Sequence, residues 1–242
     1  MTYLPGTEAR RRIYLMRHGH VDYLAKHVAT QGAVNVVPLT TRGRLQAEAA
    51  GAALAHVVFD RALCSGFPRT HETASHVLAA QKTPPVLEID SGLVEIQSAA
   101  MDPPPKSRAE MIERMKTRFS EAGNPGAKAP EGSEDYGVAQ SRAVAVIQRL
   151  LGESGWHTAL IVAHEGINRL VLSWACNAGL AAMGSFEQDT GCINVIDFDL
   201  GHGAPRTMIK AVNLTPYNWL KHGMNLTSLE AIFERDATEE LK

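Results

Sequence analysis

Short apolar runs suited to β-strands alternate with longer helical stretches along almost the whole chain. This alternation restricts the possible folds more than any other feature. Ile13–Arg17 (I-Y-L-M-R), Val58–Cys64, Val86–Asp90 and Thr158–Ala163 are bounded by turn or polar residues and are short for helices. Between them, Thr41–Val57 is Ala-rich and opens with Thr-Thr-Arg-Gly, so Thr40 or Thr41 caps a helix. Pro68–Ala80 has proline in its first turn, where a missing N–H costs nothing. Lys106–Glu121, Asp135–Leu151 and Gly166–Ala178 are the remaining helices. Gly191–Leu200 and Arg206–Val212 are the last strands, with Gly201-His202-Gly203 as the hairpin turn between them. Strands alternating with helices imply a three-layer α/β/α sandwich around a mostly parallel central sheet. The Pro-rich stretch at about 93–137 reads as a lid-like insertion over one end of that sheet. No internal repeat divides the chain, so residues 1–242 are expected to form one domain.

Composition excludes several classes of function. Lys+Arg is 24 and Asp+Glu 26, a formal charge of -2, which argues against a dedicated nucleic-acid or membrane-surface binder. No apolar run approaches the roughly 20 residues of a membrane span. The N-terminal stretch carries acid, Pro and Gly where a signal peptide needs an apolar core. The three cysteines form no C-x-x-C pair, which suggests free thiols in a reducing compartment. The expectation is a cytoplasmic protein with a small-molecule partner, and oligomeric state is left open.

The chemistry gathers at three strand ends. The first strand runs into Arg17-His18-Gly19-His20. The second is followed by Ser65 and, at the first turn of a helix, Arg69. Thr158–Ala163 is followed by His164-Glu165-Gly166. Open parallel sheets bind ligands just outside the carboxyl ends of their strands. A helix start such as that at Arg69 favours anions. Two arginines and two histidines at one sheet edge suit a phosphoryl group. His71 and His76, in H-E-T-A-S-H, are five residues apart and so about 500° around a helix, off a common face for zinc. Ser65 lacks a G-x-S-x-G context for a hydrolase serine. Glu72 and Arg10-Arg11-Arg12 are expected to be solvated, and Cys64 and Cys192 to be buried as small apolar residues.

The chain also resembles the histidine phosphatase superfamily, the phosphoglycerate-mutase-like fold. The matching stretches are I-Y-L-M-R-H-G-H at 13–20, P-L-T-T-R-G-R-L-Q-A at 38–47, C-S-G-F-P-R-T-H-E-T-A at 64–74 and V-A-H-E-G-I-N-R at 162–169. L-V-E at 93–95 and P-E-G-S-E at 130–134, followed by Arg142, match less closely. The resemblance implies that His18 is a nucleophile that becomes phosphorylated, and that Arg17, Arg69 and His164 hold the phosphoryl oxygens. His20 is a further candidate phosphate contact. Glu95 falls where many members place the proton donor. Glu165 falls where the acid phosphatase branch places its acid, so both glutamates stay candidates. Ser133 and Glu134 fall in a segment that faces substrate in related phosphatases. His20 and Val21 stand where many members carry Glu or Gln and then Thr or Ser. Leu24 stands where the mutases carry Asn, and Trp156, Trp174 and Trp219 all lie far downstream of their Trp-containing stretch. These departures favour a phosphatase over a mutase, and the scheme that the resemblance implies requires no metal and no cofactor, so metal-independent hydrolysis of a phosphate monoester is expected. A phosphoglycerate-type phosphomutase and a catalytically silent phosphate-binding protein are the alternatives.

Overall fold

The computed structural model describes residues 8–23, 34–98, 106–124, 132–201 and 205–233. In chain order the elements are β1 (Arg10–Arg17), α1 (Thr41–Leu54), β2 (Arg61–Cys64), α2 (Pro68–Ala79), β3 (Leu87–Ile89), α3 (Arg108–Thr117), α4 (Tyr136–Gly152), β4 (Thr158–Ala163), α5 (Glu165–Ala175), β5 (Ile193–Asp199) and β6 (Arg206–Leu214). The strands form one sheet in the order β3-β2-β4-β1-β5-β6. All run the same way except β5, which is antiparallel to both β1 and β6. The expected mostly parallel sheet is therefore present, with one reversed strand.

The pleat of β4 shows why helices cover both faces. Successive side chains of a strand point to opposite sides. Leu160 and Val162 pack with Met16, Ala50, Leu54, Ala74 and Val77 beneath α1 and α2. Ala159, Ile161 and Ala163 pack with Leu15, Ile147, Leu150, Ile167 and Leu170 beneath α4 and α5. Each fully buried Leu or Ile contributes roughly 1.5–3 kcal/mol. A strand buried on both faces needs a continuous apolar run, and T-A-L-I-V-A supplies one.

Helix starts follow local chemistry. The Thr40 side chain accepts from the Gly43 N–H and caps α1, and Asp135 caps α4 through the Gly137 and Val138 N–H groups. Each cap contributes about 1 kcal/mol. α1 stops at Leu54 rather than Val57, and β2 starts at Arg61 rather than Val58. The turn between them is fastened to β4, because the Asp60 carboxylate accepts from the N–H groups of His157 and Thr158.

Two expectations need correction. The run Arg10-Arg11-Arg12 is not a lead-in but the start of β1, and although Arg10 and Arg12 stay partly solvated their charges are paired. Arg12 makes a two-pronged pair with Asp197, at 2.6 and 2.7 Å, and Arg10 pairs with Asp199. Glu72 is not simply solvated: it accepts from Arg44 Nε at 2.6 Å and from the Leu39 N–H, tying α2 to the start of α1. In both cases the partner is a distant residue on a neighbouring element. Leu24, the His202-Gly203 part of the hairpin turn and the Pro-rich parts of the 93–137 stretch (99–105 and 125–131) lie outside the described residues. Within that stretch α3 packs against the short turn Glu230–Phe233. Among the described residues, no helix is long and apolar enough to cross a membrane.

Candidate active site

β1 and β4 are parallel neighbours with Arg17 opposite Ala163, so the residues that follow them, His18 and His164, emerge side by side. The His18 N–H bonds to the Ala163 carbonyl at 3.1 Å, and the two imidazole rings lie 5.2 Å apart. The R-H-G turn is locked from below by α1. A Cβ on Gly19 would stand 2.4 Å from the Gly43 carbonyl oxygen, and a Cβ on Gly43 would stand 2.2 Å from the His20 carbonyl oxygen. Two backbones approach this closely only where neither residue has a side chain. The Gly19 N–H donates to Thr73 Oγ1 and the His20 N–H to Gln46 Oε1, which pins the turn to α2 and α1.

This packing sets the state of His18. Its Nδ1 lies 2.7 Å from the Gly19 carbonyl oxygen, which can only accept. Nδ1 therefore carries the hydrogen, and Nε2 keeps its lone pair. Burial first, then Arg69 and Arg17, hold the His18 imidazole well below its usual range. A buried, neutral imidazole with a bare Nε2 is what a nucleophile requires.

His164 has the opposite tautomer. The Thr70 hydroxyl donates to the Phe67 carbonyl at 2.9 Å, so Thr70 accepts from Ser65 at 2.8 Å. The Ser65 oxygen in turn accepts from His164 Nε2 at 2.8 Å. Nδ1 of His164 is buried without a hydrogen-bond partner among the described residues, as is Nε of Arg17. Burial, followed by His18, Arg69 and Arg17, also holds His164 well below its usual range.

Arg17 and Arg69 are both buried. Arg17 donates to the Gln188 carbonyl at 2.5 Å and pairs with Glu165 at 3.0 Å. Arg69, in the first turn of α2, has its guanidinium 4.9 Å from the Phe67 ring centre and 5.9 Å from that of Tyr23. Aromatic faces hold a guanidinium without using up its donors.

The carboxylates divide into two kinds. Glu165 is buried, with Oε2 on Arg17 and Oε1 on Arg169 and the Ser228 hydroxyl. Glu95 instead accepts from two backbone groups, the Ile96 N–H at 2.8 Å and the Gly166 N–H at 3.2 Å. It sits at the start of α5, beside His164. Gly166 makes room for it, since a Cβ there would come within 2.7 Å of Glu95 Oε1. His20 is turned toward the α1 cap, with Nδ1 2.9 Å from Thr40 Oγ1. Glu134 is bound to Arg142 at 2.6 and 2.8 Å, and Arg142 bonds the carbonyls of Gly92, Val94 and Glu95. Glu134 thus supports the backbone of the Glu95 loop from behind.

Several of these roles escaped the sequence reading, which noted Ser65 at a strand end but not as the partner of His164. Ser65 and Thr70 lie within the S-x-x-x-R-T stretch, and their spacing around Arg69 was the available signal. Tyr23, Gln188 and Ser228 carry no local signal, because only the fold brings them to the site. Among the described residues, no group of three or more His, Cys, Asp or Glu side chains is placed to hold a metal ion.

Residues 13–210 match the model of the histidine phosphatase superfamily (branch 1). The adenosylcobalamin/alpha-ribazole phosphatase of Salmonella typhi is 28% identical over 190 residues, covering 77% of this chain and 90% of that protein. The alpha-ribazole phosphatase structure from Shigella flexneri superposes with a TM-score of 0.62 at 25% identity, covering 84% of this chain and 96% of that one. A mycobacterial glucosyl-3-phosphoglycerate phosphatase in complex with inorganic phosphate shares the fold, with a TM-score of 0.67 at 20% identity over 85% of this chain and 98% of that one.

Proposed function

The chain belongs to the histidine phosphatase superfamily, and on that premise we propose that it hydrolyses a small phosphate monoester through a phosphohistidine on His18, without a metal. The observation that carries this reading is the His18 Nδ1 contact to the Gly19 carbonyl, which leaves Nε2 as a lone pair beside two buried arginines.

Nε2 of His18 attacks phosphorus as the phosphorus–oxygen ester bond breaks. Arg17, Arg69 and His164 hold the equatorial oxygens, with His20 at the edge of the phosphate site. Fixed cations in a buried site stabilise that charge without reorganising during transfer. A bound phosphoryl dianion draws a proton onto His164 Nδ1, the nitrogen left over once Ser65 has taken Nε2–H. Glu95 gives its proton to the leaving alkoxide. In the second half, Glu95 takes a proton from water, the water oxygen attacks phosphorus, and the phosphorus–nitrogen bond breaks. Inorganic phosphate leaves and His18 returns to its starting state. Dividing one displacement into two lowers each barrier. Glu165, already bound by two arginines and a hydroxyl, acts as the anchor of Arg17 rather than as the acid.

A phosphate-release screen over many monoesters tests the reading, run with the parent and with His18→Ala. Release by the parent, loss in His18→Ala, and an acid-labile, base-stable phosphoryl adduct on the parent alone are expected. Full activity in His18→Ala overturns it.

A further inference from the structure

The match to the superfamily ends at residue 210, yet the chain beyond it returns to the reaction centre. The residues after β6 touch the 187–192 loop at three separate points. The Tyr217 hydroxyl donates to the Thr190 carbonyl at 2.8 Å. Lys221 Nζ donates to the Asp189 carboxylate at 2.7 Å. The Ser228 hydroxyl lies 2.6 Å from Glu187 Oε1, and its backbone N–H donates to the same oxygen at 3.2 Å.

That loop in turn holds both leading site residues. The Gln188 carbonyl accepts from Arg17 NH1, and the Cys192 carbonyl accepts from the Arg17 backbone N–H. The Gly191 N–H donates to the His18 carbonyl at 2.9 Å. A second route reaches Arg17 more directly. The same Ser228 hydroxyl lies 2.5 Å from Glu165 Oε1, and Glu165 Oε2 holds Arg17 NH2 at 3.0 Å. Arg169 NH2 joins both carboxylates, at 2.9 Å to Glu165 and 3.1 Å to Glu187. Ser228 and Leu229 are buried, and Leu229 packs into the core under α4 and α5. The Glu230–Phe233 turn beyond them packs against α3.

We propose that the segment from Thr215 to Phe233 braces the reaction centre, with Ser228 as a positioning residue that sets Arg17 through Glu165. Tyr217 and Lys221 fix the loop that carries the other Arg17 contacts. The inference rests on the phosphohistidine reading, in which Arg17 holds a transferring phosphoryl group. A carboxylate whose free oxygen is tied down presents its other oxygen in one place. Without the Ser228 hydroxyl, Glu165 Oε1 keeps only its contacts to Arg169 Nε and NH2, at 3.2 and 2.9 Å, and follows that one side chain, so Arg17 loses its alignment. Arg17 grips the transition state more tightly than the substrate, so misalignment lowers kcat more than it raises KM.

The test compares the full-length parent with Ser228→Ala, Ser228→Thr and the double variant Tyr217→Phe/Lys221→Met. Each is assayed for kcat and KM on one monoester, for inhibition by vanadate, and for thermal unfolding. Ser228→Ala should lose roughly 10- to 100-fold in kcat, the scale of a small misplacement at a reacting centre, with KM changed much less. Vanadate, which mimics the trigonal transition state, should bind more weakly by a similar factor. Ser228→Thr keeps the hydroxyl and should restore both readings to within about twofold of the parent. The double variant should lose kcat in the same sense, and it decides the matter if Ser228→Ala does not fold. A purely structural segment would lower the unfolding temperature and leave kcat and vanadate inhibition of the folded protein unchanged. That result, or a folded Ser228→Thr that rescues neither reading, overturns the proposal. A parent that releases phosphate from no monoester would instead overturn the phosphatase reading itself.

Discussion

Glu165 meets Arg17 at 3.0 Å with one carboxylate oxygen while Arg169 and Ser228 hold the other. Glu95, by contrast, rests on two backbone N–H groups at the mouth of α5. Two glutamates that the sequence offered as candidates for the proton donor, Glu95 ahead of Glu165, therefore stand in different surroundings. A general acid matters most for a poor leaving group and little for a nitrophenolate. Glu95→Gln is expected to slow an alkyl phosphate by roughly 10²–10⁴-fold and to leave nitrophenyl phosphate nearly unchanged. Glu165→Gln should slow both substrates alike, because it disturbs Arg17. Leaving-group dependence in Glu165→Gln would move the acid to Glu165.

Gly166 tests the same assignment through packing. An alanine there puts a Cβ 2.6 Å from Ile96 Cδ1 and 2.7 Å from Glu95 Oε1, closer than atoms can sit. The ends of Ile96 and Glu95 must then shift, which loosens the hold of Glu95 on the start of α5. Gly166→Ala should reproduce the leaving-group pattern of Glu95→Gln in a folded protein. Equal rates for parent and variant on the alkyl phosphate would contradict it.

Ser65 should matter through His164. Ser65→Ala leaves the Nε2–H of His164 buried without an acceptor, at a cost of roughly 1–3 kcal/mol. Urea unfolding measures that loss. The ring is also released from its tautomer, so kcat should fall by about tenfold or more, at 1.36 kcal/mol per factor of ten. Unchanged stability and kcat would show that the Ser65–His164 bond has no consequence.

Acid should destabilise the fold through its two site imidazoles. Both are held well below the ordinary histidine value of 6.5, chiefly by burial. Below pH 6.5 the unfolded chain takes up protons that the folded chain refuses. Stability is then complete above that value and falls as pH drops below it, by up to about 1.4 kcal/mol per imidazole per pH unit. Urea titrations of the parent at pH 7.5, 6.5 and 5.5 should show the decline, and His164→Asn should make it shallower. A slope unaffected by His164→Asn would mean that this imidazole is protonated in the fold.

Prolonged treatment with a chelator should leave turnover intact, since side-chain cations carry the charge stabilisation that a metal ion would otherwise supply. Loss of activity that zinc or magnesium restores would contradict this expectation.

The sequence alone determined the elements and their chemistry. Short apolar runs, the Ala-rich stretch after Thr40, Pro68 and the glycines after strands are local signals, and local sterics and caps decide where strands and helices begin. For the same reason Arg17, His18, Arg69 and His164 could be named as strand-end residues before any contact was known. Only the tertiary structure decided the partners. The Asp197 partner of Arg12, the Arg44 partner of Glu72, the hydroxyl chain from Thr70 through Ser65 to His164, and the return of Ser228 to Glu165 all join distant parts of the chain. Apart from the short Ser65–Thr70 spacing, a single sequence carries no period or spacing that marks such pairs, because they are set by register and packing between elements. The same physics separated Glu95 from Glu165: adjacent positions in the folded site, but one against backbone donors and the other locked between charges.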